Sequence, residues 1–225
     1  MTGNHTSFQD PASVAAYVLE TPCKVPGLSD LHKMTTQLLS EQAAGAAWIL
    51  VVGAGGGLEI RAMGAARPDW RFTGVDPSAA MLDIAGQTTR DYADRTELIV
   101  GTAAEAPTGP FDGAVCLLTL HFLNRGERLH TLQQIRERLK PGGHFVAAHH
   151  SAVGRQKEVW LARSAAFAGG VGCTAPQTAA SAKAMAERLP LFSIEEEVDL
   201  YRQAGFTEPA LFYAAFSFRG WVMTA

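Results

Sequence analysis

A run of apolar residues that ends in a glycine-rich turn constrains this chain more than any other stretch. Residues 48–52 (Trp-Ile-Leu-Val-Val) are followed directly by Gly53, and Gly55 and Gly57 come soon after. This pattern predicts a short strand buried on both faces, then a sharp turn, then a helix. Glycine suits such a turn because the backbone bends sharply and a ligand can lie against it without meeting a Cβ atom.

An acidic residue ends the next strand-like run. Asp76 directly follows residues 71–75 (Arg-Phe-Thr-Gly-Val). A carboxylate at the end of the second strand of such a unit can accept hydrogen bonds from both hydroxyls of a ribose. The glycine turn and this acid together predict a cofactor that contains a nucleoside.

The glycine spacing bears on which cofactor binds. Dinucleotide-binding turns read G-x-G-x-x-G, whereas this chain has Gly53-x-Gly55-x-Gly57 and Leu58 at the sixth position. The spacing favours S-adenosylmethionine (SAM), which carries no pyrophosphate, over NAD. Two alternatives stay open: an NAD-dependent oxidoreductase, and a plain α/β domain whose loop binds nothing.

Composition and charge limit the class of protein. The 225 residues are 47% hydrophobic and 18% charged, which suits one large domain with a single core. The net charge of −3 and the absence of a Lys/Arg run give no clear signal for a nucleic-acid or membrane partner, although a tRNA partner stays open. No window approaches 18 apolar residues and no signal-peptide pattern opens the chain, so we expect a cytoplasmic protein. The three cysteines form no C-x-x-C pair, and no metal site is predicted.

The order of segments predicts an α/β fold, because apolar strand-like runs alternate with helical runs. We expect a Rossmann-like three-layer sandwich whose mostly parallel seven-stranded sheet ends in a C-terminal antiparallel strand pair. The expected single domain, residues 1–225, has four segments: an N-terminal helical cap (1–44), a SAM-binding core (45–150), a helical lid (151–192) and a C-terminal helix with the strand pair (193–225).

Local signals give three further expectations. The proline-containing break at residues 21–27 predicts that the first helix ends near Leu19. Residues 140–143 (Lys-Pro-Gly-Gly) predict a helix stop and a turn before a strand at 144–148. The three glutamates at 195–197 are expected on a solvated helix face, where they favour the helix N-terminus.

Five motifs in order resemble those of class I SAM-dependent methyltransferases. They are VGAGGG at 52–57, GVDPSAAML at 74–82, GTAAEAP at 101–107, FDGAVCLLTLHFL at 111–123 and LKPGG at 139–143. The resemblance covers roughly residues 45 to 225. It implies a methyltransferase that binds SAM, releases S-adenosylhomocysteine (SAH) and acts on a small-molecule oxygen or nitrogen acceptor.

The resemblance also implies the roles of the cofactor residues. The glycine loop would support the methionine part of SAM, and Asp76 would bind the ribose. Met81 and either Ala103 or Ala104 would enclose the adenine, and the end of the fourth strand would lie against the sulfur atom of SAM. The expected cofactor-binding residues are Gly53, Ala54, Gly55, Gly57, Asp76, Pro77, Met81, Thr102, Ala103, Ala104, Leu117 and Leu118.

Two positions depart from the family pattern. Val51 and Val52 stand where the family often has an acid, and Thr102 stands where it often has Asp. The threonine hydroxyl can still accept one hydrogen bond from the adenine amine. These departures leave a non-catalytic SAM-binding regulator as an alternative.

Within the superfamily, the chain looks most like carboxy-SAM synthases and their small-molecule relatives. The similar segments are residues 25–28, 118–123 and 187–206. Carboxy-SAM synthases make carboxymethylated SAM from SAM and prephenate, and an arginine holds the extra carboxylate. That arginine aligns with Leu200 here, and a carboxylate without its arginine would be poorly compensated. An ordinary methyltransferase is therefore the expectation, and a carboxy-SAM synthase is the alternative.

Histidines at strand ends are the catalytic candidates. His121 follows the fourth strand, and His149 and His150 follow the fifth. Each could act as a base or acceptor contact near neutral pH, or be an ordinary hydrogen-bonded loop histidine. Because His149 and His150 are adjacent on an extended backbone, they should point to opposite sides, so at most one faces the substrate.

Residues that contact the acceptor are expected in the cap and the lid. The candidates are Tyr17, Lys24, His32, His121 and Trp160. Tyr17 could equally belong to the apolar face of its helix. Trp160 and Phe167 lie seven residues apart on one helical face, which favours a core or dimer stripe, and a homodimer through residues 154–190 is a hypothesis.

Overall fold

The structure is a computed structural model that describes residues 11–154 and 156–225, with side chains from residue 17 onward. The helices are α1 (Pro11–Lys24), α2 (Leu28–Ser40), α3 (Leu58–Ala66), α4 (Ala79–Thr88), α5 (Arg125–Arg138), α6 (Lys157–Gly169), α7 (Ala175–Arg188) and α8 (Ile194–Gln203). The strands are β1 (Ala47–Val52), β2 (Trp70–Asp76), β3 (Thr96–Val100), β4 (Phe111–Leu117), β5 (Leu139–His150), β6 (Thr207–Ala215) and β7 (Phe218–Thr224). In these residues, no helix is both long and apolar enough for a membrane span.

The seven strands form one sheet in the order β3-β2-β1-β4-β5-β7-β6. The pairs from β3 to β5 are parallel, and β7 runs antiparallel to both β5 and β6. The predicted fold class is therefore confirmed. The strand order reverses between β1 and β4, and ligands of open α/β sheets bind beyond the strand ends at such a reversal.

Both faces of the sheet are covered, which explains why its central strands are apolar throughout. Ile49, Leu50 and Val51 of β1 are all fully buried, although neighbours in a strand point to opposite faces. One face packs against α2, α3 and α4, and the other against α5 and α8. Helix α1 packs against both α4 and α6 beside the carboxyl ends of the strands.

The first helix is longer than predicted. It continues through Pro22 to Lys24 instead of ending near Leu19. Pro22 has no backbone N–H to donate within the helix. Directly before it, the hydroxyl of Thr21 donates to the carbonyl of Tyr17 (2.6 Å) and so adds a hydrogen bond to this turn of the helix. The chain turns at Gly27 instead, where φ is +65°.

The helix stop predicted by residues 140–143 is confirmed, because α5 ends at Arg138, but the predicted turn is wrong, because these residues lie inside β5. Leu139 pairs with Phe111 and His144 pairs with Gly113, so the intervening four residues form a bulge in the ladder. Gly142 donates to the carbonyl of Ala225, and Ala225 donates to that of Gly143 (2.9 Å each). The two glycines allow this bulge, and Ala225, which directly follows β7, forms both hydrogen bonds with it.

Candidate cofactor site

A cavity of about 300 Å³ lies at the carboxyl ends of β1, β2 and β4, at the point where the strand order reverses. This volume is at the lower end of the range for small-molecule sites. Its lining comprises Tyr17, Val52, Gly53, Gly55, Asp76, Pro77, Ser78, Met81, Gly101, Thr102, Ala103, Leu118, Thr119, Phe122, Leu123 and Thr131.

The glycine loop needs glycine for both space and backbone conformation. Gly53 has φ +71°, and a Cβ atom there would lie 2.1 Å from Thr119 Oγ1. Gly57 has φ +76°, precedes α3 directly, and would place a Cβ atom 3.1 Å from the Ala85 backbone. The loop therefore packs tightly against β4's end and α4, and it presents main chain to the cavity.

Asp76 is fixed in place by backbone donors on two segments. Its Oδ2 accepts from the N–H of Gly55 and its Oδ1 from the N–H of Ser78, both at 2.9 Å. Each carboxylate oxygen can accept a second hydrogen bond. Because both oxygens are positioned and Asp76 lines the cavity, it offers a preorganised acceptor pair to a diol.

Part of the cavity lining is apolar. Met81 and Ala103 are both almost fully buried in the protein and both line the cavity. Thr102 also lines it, but its hydroxyl donates to Glu105 Oε2 (2.8 Å) and accepts from the N–H of Ala104 (3.3 Å). The backbone N–H of Thr102 also donates to Glu105 Oε2 (2.7 Å), and this bond together with the hydroxyl bond lowers the pKa of Glu105. One acceptor lone pair of the Thr102 hydroxyl is thus left for an adenine amine.

The expected cofactor residues divide into two groups. Eight line the cavity: Gly53, Gly55, Asp76, Pro77, Met81, Thr102, Ala103 and Leu118. Ala54, Gly57, Ala104 and Leu117 support the loops behind it and do not appear in its lining among the described residues. Sequence reasoning missed Val52, Ser78, Gly101, Thr119, Phe122, Leu123 and Thr131. The first six lie within motifs that were recognised, whereas no local signal marks Thr131.

The expected acceptor residues do not gather at one place. Tyr17 lines the cavity, and its ring lies over Gly56. Lys24 is exposed and pairs with Glu20 (2.6 Å). His32 lines a separate groove between α2 and α3, and Trp160 lies on α6 beneath the guanidinium of Arg163.

His149 faces away from the cavity, so a catalytic role for it is not supported. Its Nε2 lies 2.9 Å from Oε1 of Glu197, which also pairs with Arg128, and all three side chains are fully buried. The prediction that Glu197 is solvated is therefore wrong. Burial lowers the pKa of His149 and would raise that of Glu197, but His149 and Arg128 keep the pKa of Glu197 below its usual value.

His121 and His150 lie together under α6. As the alternation along β5 predicts, His150 points to the opposite side from His149, and its Nδ1 is 2.7 Å from Ser217 Oγ. The N–H of His150 donates to His121 Nδ1 (3.4 Å), which assigns the proton of neutral His121 to Nε2. Burial lowers the pKa of both rings, that of His150 to about 3. Neither ring is in the described lining, although Phe122, whose ring lies 4.2 Å from that of His121 at a tilt of 49°, lines the cavity.

Comparison with known proteins agrees with this geometry. The family model of a methyltransferase domain matches residues 50–145. The chain is similar to the carboxy-S-adenosyl-L-methionine synthase of Campylobacter lari, with 28% identity over 140 residues, which is 62% of this chain and 60% of that protein. The matched part makes up only 52 to 60% of the curated relatives' own length.

Solved structures share the fold at low sequence identity. An O-methyltransferase family protein from Burkholderia thailandensis has a TM-score of 0.67 and 13% identity, covering 97% of this chain and 61% of that one. Human N-acetylserotonin methyltransferase, solved in complex with SAM, has a TM-score of 0.63 and 14% identity, covering 96% and 57%. This chain therefore has the fold of these solved structures, and its residues 50–145 match a methyltransferase domain.

Proposed function

We propose that this protein transfers a methyl group from SAM to an oxygen or nitrogen atom of a small molecule. The observation that carries the proposal is the cavity at the strand reversal, where Asp76 is held by Gly55 and Ser78 beside a glycine loop. The lining fits SAM. Asp76 suits the ribose hydroxyls, Met81 and Ala103 suit the adenine faces, and the glycine loop suits the amino-acid part.

The chain contributes to the reaction mainly by positioning SAM and the acceptor. Bound SAM supplies an electrophilic methyl group: the acceptor lone pair forms the new bond to carbon while the carbon–sulfur pair returns to sulfur. Asp76 and the glycine loop would hold bound SAM in one position, so that an acceptor could approach its methyl group in line, and such positioning supplies much of the acceleration. The acceptor proton leaves to solvent or to a base. His121, which contacts Phe122 of the lining, and His150, which contacts His121, are the proposed candidates for that base.

Replacing Asp76 with alanine tests the ribose contact. We expect calorimetry to show that SAH binds at least about tenfold more weakly, on the order of 1.4 kcal/mol, because two hydrogen bonds to the diol are lost. The matched control is Asp83→Ala on the exposed side of α4, which should bind SAH like the wild type. Equal affinities in both variants would remove the ribose role.

A carboxy-SAM synthase is the second candidate, because the curated relatives carry that name. The site argues against it. Leu200 is buried in the core between α8 and the sheet, and Arg202 is exposed beside Asp199. In the described lining of the cavity, Asp76 is the one charged residue, so no cation awaits an additional carboxylate.

The nucleoside that copurifies with the protein separates the two candidates. We expect mass spectrometry of the heat-released ligand to show SAM or SAH. The mass of carboxymethylated SAM would instead identify the protein as a carboxy-SAM synthase. It would also show that another residue replaces the missing arginine.

Methyl transfer itself is tested with deuterated-methyl SAM and a metabolite extract. A product that carries the heavy methyl group supports the proposal and identifies the acceptor. SAH binding with no labelled product in extracts from several growth conditions would favour the non-catalytic regulator.

A further inference from the structure

We propose that the groove between α2 and α3 binds a small molecule that carries a phosphate group and hydroxyl groups. The groove has a volume of about 530 Å³, which suits a small-molecule site. In the part of the chain that the structure describes, the groove and the cofactor cavity share no lining residue. The inference therefore concerns a second site and does not depend on the proposed methyl transfer.

The groove runs along both helices. On α2 its lining extends from Leu28 to Ser40, and on α3 from Leu58 to Arg67, which directly follows the helix. Helix α2 leads into β1 and α3 into β2. Because these two strands are parallel, both helices end at the same edge of the sheet. The α2 side of the groove is about 18 Å long at a rise of 1.5 Å per residue, which is enough for an extended small molecule.

Every charged side chain in the described lining is a cation: Lys33, Arg61 and Arg67. Lys33 pairs with Asp30 (2.9 Å), which partly neutralises its charge. Arg61 and Arg67 form no ion pair with any residue that the structure describes, and the Arg67 guanidinium lies 5.4 Å from the centre of the Trp70 ring. Two guanidinium charges therefore remain in one groove, where an anionic ligand would neutralise them.

His32 gives the groove a polar donor that is almost fully buried. The residue is only 8% exposed, and it lines the groove. Its ring forms no hydrogen bond within residues 11–154 and 156–225, although buried polar groups nearly always have a partner. Burial and the charge of Arg61 lower the pKa of His32 to about 4, so the ring is neutral at pH 7 and carries one N–H. This unused donor near a guanidinium suits an anionic oxygen.

Two hydroxyl groups further along α2 select the rest of the ligand. The hydroxyl of Thr36 donates to the carbonyl of His32 (2.8 Å), and that of Ser40 donates to the carbonyl of Thr36 (2.6 Å). Both residues line the groove. Because their protons are already used, these hydroxyl oxygens can only accept hydrogen bonds. They suit the hydroxyl groups of a ligand and not its anionic oxygens.

The charge of the groove matches a phosphate monoester. Such a group carries about −1.5 to −2 charges at pH 7, which is close to the opposite of the two unpaired guanidinium charges. A single carboxylate would neutralise only one of them. Arginine also binds phosphate through two parallel N–H···O bonds. The lining therefore favours a phosphate over a carboxylate.

Macromolecular partners fit the groove less well. A protein interface has an apolar core, but the large apolar side chains that are exposed in the described chain all lie outside α2 and α3. A nucleic acid is bound by a basic stripe along one face, whereas the whole chain carries a net charge of −3. A small phosphorylated molecule is therefore the occupant to test.

Calorimetry with ribose 5-phosphate tests the site. We expect this probe to bind more tightly than inorganic phosphate, because its hydroxyls add bonds to Thr36 and Ser40, and we expect free ribose not to bind. Arg61→Gln should weaken binding of ribose 5-phosphate at least about tenfold, or roughly 1.4 kcal/mol, because a charge-assisted pair is lost. Arg90→Gln, just after α4, should bind the probe like the wild type.

Two checks exclude indirect effects. Arg61 and Arg90 are both exposed, so neither variant should change the thermal unfolding midpoint noticeably. In NMR spectra of the wild type, saturation with ribose 5-phosphate should shift the ring nitrogen resonances of His32, because its N–H gains an anionic partner. The ring of His130, which is exposed on α5, should not shift.

Several results would overturn the inference. They are no binding of either phosphate probe, equal binding by Arg61→Gln and the wild type, and an unchanged His32 ring at saturation. Displacement of ribose 5-phosphate by SAH would place the anion in the cofactor cavity and would also contradict it. An RNA oligonucleotide or an acidic peptide that competes with the probe and binds more tightly would replace the small molecule with a macromolecule. Failure of SAH to bind contradicts the proposed function alone.

Discussion

Replacing Glu197 with glutamine is expected to destabilise the protein by about 3 to 5 kcal/mol, since it leaves Arg128 buried without its counter-charge. Arg128 lies on α5, and its other contacts are the carbonyls of Leu123 and Pro190 and the ring of Phe192. These carry no formal charge. Thermal unfolding should show a midpoint lower by roughly 10 °C for a domain of this size.

The matched control is Asp199→Asn, two residues further along α8. Asp199 is exposed and its pairing with Arg202 is long, at 3.9 Å. A change within about 0.5 kcal/mol is expected there. Similar losses in the two variants would mean that the buried cluster contributes no more than a surface pair.

The effect of Glu197→Gln should depend on pH. The pKa of Glu197 is lowered in the folded protein, so its ionised form stabilises the fold above the unfolded value of about 4.3. The difference between wild type and variant should therefore be complete near pH 7 and shrink as the pH falls below about 4. Chemical denaturation at both pH values measures it.

Replacing Gly53 with alanine is expected to weaken SAH binding by at least about a hundredfold, or roughly 2.7 kcal/mol. The added Cβ atom would lie 2.1 Å from Thr119 Oγ1, and φ at this position is +71°. Thr119 has little freedom to move, because its hydroxyl donates to the carbonyl of Leu117 (3.0 Å). Either the loop or the end of β4 must shift, and both border the cavity.

Two comparisons isolate the steric cause. Gly86→Ala in α4 places its Cβ atom 4.0 Å from the nearest atom and should leave SAH affinity unchanged. In a Thr119→Ala background, the clashing hydroxyl is gone, and Gly53→Ala should cost less affinity than in the wild type. The same cost in both backgrounds would contradict the steric explanation.

The cofactor end of the site could be predicted from sequence because its chemistry is local. Gly53, Gly55 and Asp76 are set by what a sharp turn and a ribose require, and each is adjacent in sequence to the strand that positions it. Thr131 could not be predicted in this way. It reaches the cavity from α5, and only the packing of that helix on the sheet brings it there.

The inward orientation of Glu197 could have been found from helical phase. Glu197, Leu200, Tyr201 and Ala204 follow the i, i+3, i+4, i+7 pattern, and all four are buried. The three consecutive glutamates suggested a solvated face because all three are charged, and the side of the helix on which each one lies was not considered. His149 was misassigned for a related reason, since its buried partner lies 48 residues away in sequence.

A crystal structure of the protein with SAH tests the central claim most directly. The account predicts the ribose hydroxyls within hydrogen-bond distance of Asp76 and the adenine between Met81 and Ala103. A nucleoside bound elsewhere, with Asp76 making no contact to its sugar, would contradict it.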